Sequence, residues 1–211
     1  VLKMPNSGSG KGLIWIKGEI TDKQIDWCRR VIATQGGVVA ELVYDKQIDL
    51  AMEFLADKGK VTFECYSLFQ SAPSGAYMGN RLLTDKMVEN EVSKFISLSV
   101  LRLLQEQLAN RLAEYFPEHE GFMGVDMMIC RNKKGFCLHP CVEVNMRMNM
   151  GLVARHFFDR FVDKDAEGIY QISYFKQNGE ALNFETEQQK KSPLQIKDEK
   201  IHSGFLALAP V

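Results

Sequence analysis

The clearest hydrophobic pattern lies between residues 121 and 152, where apolar residues and turn formers predict a β-hairpin followed by a helix. The hairpin comprises an apolar strand over residues 122–130, a turn over residues 132–135 and a returning strand over residues 136–145. Pro140 has no backbone N–H to donate to a neighbouring strand. The returning strand is therefore expected to be irregular at that point, or to lie at an edge there.

Apolar residues recur at helical spacing in three other segments, each with charged residues between them. Residues 21–35 predict a helix that is capped by Thr21. Residues 88–116 predict one long helix that packs on a sheet. Residues 150–162 predict the helix that follows the hairpin, and Asn149 is placed to cap it.

Between the first two helices, the chain has the composition of strands and a loop. Residues 37–44 predict a strand, and residues 47–56 and 60–69 predict a strand pair that begins an antiparallel core sheet. Residues 71–81 are rich in small residues and turn formers, so they predict a loop. Together with the helices, these segments indicate an α+β fold.

The pattern changes after residue 163, and no recognisable motif follows. The tail predicts a hairpin and further strands, over residues 169–176, 181–187, 194–201 and 204–208. Such a tail could complete the sheet, cover one of its edges or serve oligomerisation, for instance in a homodimer.

Composition narrows the class of protein. A chain of 211 residues that is 45% hydrophobic can bury a sizeable core, in one large or two small domains. A formal net charge of −1 argues against non-specific nucleic-acid binding, and no apolar run reaches membrane-spanning length. Five cysteines without a secretion signal favour reduced thiols in the cytoplasm over a disulfide framework.

Two carboxylates and one amide are expected to converge on the hairpin. Because side chains alternate between the two faces of a strand, Asp126 should lie almost opposite Cys141 and Glu143, with Asn145 on the face of Glu143. Hard oxygen ligands without His or thiolate suit Mg²⁺, with Mn²⁺ as a possible substitute. The alternative is an amphipathic hairpin whose polar face is simply solvated.

A glycine-rich segment lies near the start of the chain. Lys3 belongs to a short predicted strand, residues 5–12 are rich in Gly and Ser, and residues 13–16 resume an apolar strand. Backbone N–H groups of such a loop can approach phosphate oxygens closely. The segment is not a Walker A loop, because Gly12 stands where Ser or Thr should follow the lysine and a strand comes next. A flexible hairpin loop is the alternative.

The strand lysine, the glycine-rich strand–loop–strand and the D…E-x-N set together resemble the ATP-grasp superfamily, over residues 1–161. The resemblance implies an ATP-grasp fold fragment: a mainly antiparallel sheet packed with helices, plus a remnant of the lid subdomain. It also implies that the substrate-binding domain and the first half of the lid are missing. The implied domains are the second half of the lid over residues 1–46, the catalytic core over residues 47–162 and a β-rich extension over residues 163–211.

The resemblance assigns roles to individual residues. Lys3 matches the lysine that holds ATP phosphates, and Asp49 lies where family members often carry an acid for the ribose hydroxyls. The lid loop is matched by Ser7, Gly8, Ser9, Gly10, Lys11 and Gly12. The adenine-binding hinge is matched by Glu41 and the backbone of Leu42, Val43 and Tyr44. The metal ligands are matched by Asp126, Glu143 and Asn145.

The activity that the resemblance implies is ATP- and Mg²⁺-dependent ligation of a small-molecule carboxylate to an amine or thiol through an acyl phosphate, with this fragment alone inactive.

One position departs from the family pattern. Several ligases carry Arg two residues before the metal Asp, and Gly124 stands there. The role is therefore unfilled, or it is taken by Arg81 or Arg147. A nucleotide-binding module without catalysis, used for regulation or assembly, is the alternative.

Overall fold

The computed structural model describes residues 1–8 and 11–208, which form eleven strands and five helices. In chain order the strands are β1 (Leu2–Lys3), β2 (Leu13–Ile14), β3 (Val39–Ala40), β4 (Asp45–Asp57), β5 (Lys60–Ser71), β6 (Tyr77–Leu82), β7 (Gly121–Asn132), β8 (Gly135–Asn145), β9 (Gly168–Gln171), β10 (Gln195–Lys197) and β11 (Lys200–Ser203). The helices are α1 (Asp22–Gln35), α2 (Asp85–Ser93), α3 (Leu98–Tyr115), α4 (Met150–Phe161) and α5 (Glu180–Lys191).

The long apolar strands pair into one antiparallel sheet in the order β8-β7-β4-β5-β6-β9. Side chains alternate across it, so Leu50, Met52 and Phe54 of β4 face α2 and α3 and form the main core with them. The other face carries Ala51 and Glu53, and α4 packs there. Helices therefore cover both faces of the central strands, and the buried side chains of β4 pack between them.

A second, three-stranded sheet has the order β2-β1-β3, and the glycine-rich segment joins β1 to β2. Helix α1 lies between β2 and β3 in the chain. Its predicted cap is confirmed, because Thr21 and Gln24 form a reciprocal capping box. The predicted hinge strand is shorter than expected: only Val39–Ala40 pairs in the sheet, and residues 41–44 run on as irregular chain.

The predicted long helix over residues 88–116 is wrong, since α2 and α3 are separate helices. Ser97 interrupts the segment by accepting a hydrogen bond from the backbone N–H of Ser99, which starts a new helix. The apolar spacing hides the break because Phe95 and Ile96, which lie between the two helices, still pack against the core.

The tail also differs from its prediction. A strand was expected over residues 181–187, but α5 occupies this stretch, after Gly179 with its positive φ of 83°. Glu180 stabilises the first turn by accepting hydrogen bonds from the backbone N–H groups of Lys176 and Gln177. Residues 204–208 form no strand. The described part of the tail is therefore mixed rather than β-rich, and β9 does complete the large sheet.

The predicted loop over residues 71–81 is confined to residues 72–76, because β6 begins at Tyr77. The predicted hairpin, the strand pair after the hinge and the helix after Asn149 are confirmed. Of the helices in the described ranges, none combines the length and the apolar character needed to cross a membrane.

Candidate functional site

A cleft of about 900 Å³ lies between the small sheet and one end of the large sheet. Its walls include the glycine-rich segment, the irregular chain after β3, and the hairpin β7–β8. The predicted site residues that line it are Lys3, Ser7, Gly8, Lys11, Glu41, Leu42, Val43, Tyr44, Asp49, Asp126 and Glu143. Residues from five separate stretches of the chain thus face one space.

The hairpin brings the two acids together as predicted, with Asp126 directly opposite Glu143 in the β7–β8 register. The register shifts before the next pair, in which Met128 faces His139. The strand β8 therefore contains extra residues around Pro140, which confirms the predicted irregularity.

Asn145 and Arg147 extend the acidic pair by hydrogen bonds. Asn145 Nδ2 lies 3.3 Å from Asp126 Oδ2, and Arg147 Nη2 lies 3.4 Å from Asn145 Oδ1. The three predicted metal ligands therefore lie next to one another, with a guanidinium at their edge.

The electrostatics of this group suit a cation. Burial, followed by the facing carboxylate of Glu143, raises the pKa of Asp126 to about 7. The hydrogen bond from Asn145 lowers this pKa, and Asp49 raises it further. A divalent cation would remove the repulsion between the acids, and two carboxylates with an amide oxygen fit Mg²⁺. No cluster of three or more His, Cys, Asp or Glu residues at metal-binding geometry occurs within residues 1–8 and 11–208.

The opposite wall of the cleft is organised by an ion pair. Lys3 Nζ of β1 lies 2.6 Å from Glu41 Oε2, just after β3. The two residues predicted to contact phosphate and adenine are therefore neighbours across adjacent strands. Tyr44 is held further along by an edge-on contact with His139 of β8, with ring centroids 5.0 Å apart. This contact connects the chain after β3 to the hairpin β7–β8.

The glycine-rich segment turns tightly between β1 and β2. Met4 donates a backbone hydrogen bond of 2.9 Å to Gly12, and Lys11 donates one of 3.1 Å to Gly8. Gly12 has a positive φ of 77°, and a Cβ there would lie 2.8 Å from the sulfur of Met4. Ser9 and Gly10, which belong to the predicted phosphate loop, lie outside the described residues.

Arg81 is not brought to the cleft. Its guanidinium pairs with Glu167 at 2.9 Å and with Glu91 of α2 at 3.8 Å. Helix α2 packs on the face of the sheet opposite to Asp126, so the guanidinium of Arg81 lies away from Asp126, Glu143 and Asn145. Of the two predicted arginines, only Arg147 lies beside the acids.

The N5-carboxyaminoimidazole synthetase of Staphylococcus aureus, complexed with ADP, is similar over 96% of this chain and 55% of its own, with 14% identity and a TM-score of 0.51. This chain has an ATP-grasp fold. It spans about half the length of that neighbour.

Two further solved structures with weaker similarity to this chain are an N5-carboxyaminoimidazole synthase and a biotin carboxylase domain. The synthase, from Aspergillus clavatus with ADP and 5-aminoimidazole ribonucleotide, is 12% identical over 86% of this chain and 50% of its own, with a TM-score of 0.45. The biotin carboxylase domain belongs to the Hydrogenobacter thermophilus 2-oxoglutarate carboxylase, in a dimer with MgADP, ADP and bicarbonate. It is 14% identical over 70% of this chain and 30% of its own, with a TM-score of 0.47. No protein-family model and no curated protein matches the chain.

The cleft also contains two residues, Lys46 and Ser71, that the sequence did not reveal. Lys46 Nζ lies 2.6 Å from both Asp49 Oδ2 and Ser71 Oγ, and Ser71 donates to the same carboxylate at 2.5 Å. All three residues line the cleft. The alternation of β4 places Asp49 on the face of Asp126, but no local signal marks Ser71, because it reaches the site only through the pairing of β5 with β4.

Proposed function

We propose that this chain is the nucleotide-binding part of an ATP- and Mg²⁺-dependent ligase that joins a carboxylate to an amine or thiol through an acyl phosphate. The substrates would be small molecules. Because the chain spans about half of its first structural neighbour, substrate choice would depend on residues outside it. The proposal rests on the composition of the cleft rather than on identity to any relative.

The observation that carries the proposal is the convergence of four chemically different groups on one cleft. A lysine at the end of β1, a glycine-rich turn, a hinge segment after β3 and a pair of facing carboxylates on β7 and β8 all line it. Each is an ordinary feature alone. Cations and backbone N–H groups at one end, with paired acids close by, form the arrangement that a metal-bound nucleoside triphosphate requires.

Each group has a defined part in phosphoryl transfer, which needs mainly positioning and stabilisation of charge. Lys3 and the N–H groups of residues 7–12 would hold phosphate oxygens. Asp126, Glu143 and Asn145 would hold Mg²⁺, which when bound neutralises charge on the β- and γ-phosphates. Arg147, beside Asn145, would contact the transferring group or the acceptor carboxylate.

The amine or thiol would then attack the acyl phosphate and release phosphate. The chain after β3 would bind the adenine base through Glu41 and the backbone of Leu42, Val43 and Tyr44, and Asp49 would accept hydrogen bonds from the ribose. Lys46 and Ser71 hold that carboxylate in place.

A second candidate, a nucleotide-binding module without catalysis, is favoured by the surroundings of Gly124. A Cβ at this position would lie 2.1 Å from Asn149 Nδ2 and 2.5 Å from Glu53 Oε2. The site therefore leaves no room for the arginine that several ligases carry here. Arg147 would have to supply that charge alone, or no transfer would occur.

Calorimetric titration of the chain with ADP, with and without Mg²⁺, tests nucleotide binding. We expect Mg²⁺ to strengthen ADP binding, and Glu143→Gln to abolish this increase. Glu64→Gln, the same change at an exposed position of β5, should leave it intact. Equal Mg²⁺ dependence in the wild type and in Glu143→Gln would refute the metal assignment.

Hydroxylamine trapping separates the ligase from the binding module. Incubation of the full-length protein with ATP, Mg²⁺ and a panel of carboxylates should release ADP and form a hydroxamate for the true substrate. A protein that binds MgADP tightly but forms no hydroxamate with any carboxylate would be the module.

A further inference from the structure

Glu53 is a buried acid that the proposed reaction does not use. It lies on β4 with no exposed surface, on the sheet face that carries Asp126. Its Oε2 atom accepts a 2.7 Å hydrogen bond from Nδ2 of Asn149, which lies 96 residues further along the chain. Its Oε1 atom has no hydrogen-bond partner among the described residues. Burying a polar atom without a hydrogen-bond partner destabilises the folded state. A buried acid of this kind therefore needs an explanation other than packing.

Asn149 is held at both ends of its side-chain amide. While Nδ2 donates to Glu53, Oδ1 accepts a 3.1 Å hydrogen bond from the backbone N–H of Leu152 and so caps α4. The amide therefore connects the first turn of α4 to β4, one of the two central strands of the sheet. Neither end can move without breaking a hydrogen bond.

Two glycines make this contact possible. At Gly124 of β7, a Cβ would collide with both Asn149 and Glu53. At Gly151 of α4, a Cβ would lie 2.5 Å from Glu53 Oε1 and 2.6 Å from Ser67 Oγ. The start of α4 thus packs directly on Glu53. The distance between α4 and the sheet is set by the contact of Glu53 with Asn149 and Gly151.

We propose that Glu53 is a positioning residue: through Asn149 it fixes the segment that carries Arg147 beside the metal ligands. Three residues separate Asn145, the last metal ligand, from Asn149. Arg147 lies in the middle, where its guanidinium donates to Asn145 Oδ1 and, at 3.3 Å, to the carbonyl of Met148. The inference rests on the proposed function, because Arg147 acts on the substrate only if the nucleotide site is real.

The protonation state of Glu53 is consistent with such a role. Burial, opposed by the hydrogen bond from Asn149 and reinforced by Asp126, raises the pKa of Glu53 to about 8. At neutral pH the side chain is therefore a neutral acid that accepts one hydrogen bond. Glutamine has the same shape and the same acceptor, whereas methionine has a similar volume without one.

The test compares Glu53→Gln with Glu53→Met in the Mg²⁺-dependent part of ADP binding. We expect Glu53→Gln to remain within about twofold of the wild type and Glu53→Met to lose about tenfold, while binding of ADP without Mg²⁺ stays unchanged in both. Asn149→Ser keeps a helix cap but cannot reach Glu53, and it should match Glu53→Met. The double variant should be no weaker than either single one, because both remove the same contact.

A second measurement does not depend on the nucleotide. In Glu53→Met, amide hydrogen exchange of residues 146–152 should accelerate at least fivefold, with residues of α3 unchanged; Glu53→Gln should resemble the wild type. Unchanged exchange in Glu53→Met would overturn the positioning role even if MgADP binds. Accelerated exchange in a chain that binds no MgADP would keep the contact and remove the proposed function.

Discussion

At the scale of single residues, the face of the sheet around the cleft contains two acids that burial affects in the same direction. The pKa of Asp126 is raised to about 7 by burial and by Glu143, and that of Glu53 to about 8 by burial. Asp126 opens to the cleft, where a cation can offset its charge. Glu53 lies beneath α4, where the hydrogen bond from Asn149 lowers its pKa and the charge of Asp126 raises it.

Glu53 should therefore make the stability of the fold depend on pH. An acid whose pKa is higher in the folded state than in the unfolded state keeps its proton on folding, so its stabilising contribution is complete below the ordinary pKa and falls as pH rises. The loss amounts to about 1.4 kcal/mol for each pH unit between the ordinary value of 4.5 and the folded value of about 8. Glu53→Gln removes this contribution.

We expect the wild type and Glu53→Gln to have similar free energies of unfolding near pH 5, and the variant to become more stable by pH 8. Urea denaturation across this range measures both curves, and the exposed Glu64→Gln serves as the control. The difference between the curves isolates Glu53, because Asp126 contributes to both. Parallel curves would show that Glu53 is ionised in the folded protein or is accessible to water.

At the scale of elements, the sequence supported the hairpin but not the boundaries that depend on tertiary contacts. The position of the turn and the alternation of side chains were enough to place Asp126 opposite Glu143. Pro140 was enough to predict where the pairing of β8 with β7 becomes irregular. The break between α2 and α3 was hidden because Phe95 and Ile96 continue the apolar face across it. The helix α5 was taken for a strand because its few apolar residues pack only partly and mark no clear helical face.

The place where α4 begins over β4 and β7 tests how closely the helix packs on the sheet. Gly124→Ala places a methyl group where Asn149 Nδ2 and Glu53 Oε2 already lie, so we expect a loss of roughly 2–4 kcal/mol in the free energy of unfolding. Gly37→Ala is the matched control, since no atom lies within 4 Å of its Cβ position. It should be neutral or slightly stabilising, because alanine restricts the unfolded chain.

Urea denaturation measures the free energy of unfolding of both variants. A Gly124→Ala variant as stable as Gly37→Ala would mean that α4 can lift from the sheet at no penalty. The contact between Glu53 and Asn149 would then not determine how closely α4 packs on the sheet.

At the scale of the whole molecule, the cleft could not be derived from hydrophobic patterns, because its two walls come from different sheets. The pattern placed Lys3 on a strand and Asp126 on a hairpin, but only the resemblance to the ATP-grasp superfamily brought the two together. Lys46 and Ser71 were missed for the same reason: their positions depend on how β4 and β5 pair, which no single stretch of sequence encodes. The position of Arg81 was not predicted, because its strand β6 was taken for a loop.

A nucleotide in this cleft would contact both sheets at once, and this leads to a prediction for the molecule as a whole. Opening the small sheet away from the hairpin would require the nucleotide to lose its contacts with one wall of the cleft, so bound MgADP should suppress that opening. We expect amide hydrogen exchange to slow at least fivefold in β1, β3 and the segment that follows β3, and also in β8. The helix α3, on the far face of the large sheet, should be unaffected.

Mass spectrometry of exchange with and without MgADP measures this pattern, and Glu143→Gln at the same concentrations is the control that should show little slowing. The distribution of protection distinguishes two arrangements. Slowing in both sheets would mean that the nucleotide lies between them and holds the cleft closed. Slowing confined to β8 would mean that the metal site binds while the glycine-rich segment and Lys3 stay apart, and the small sheet would then have no part in holding the phosphates.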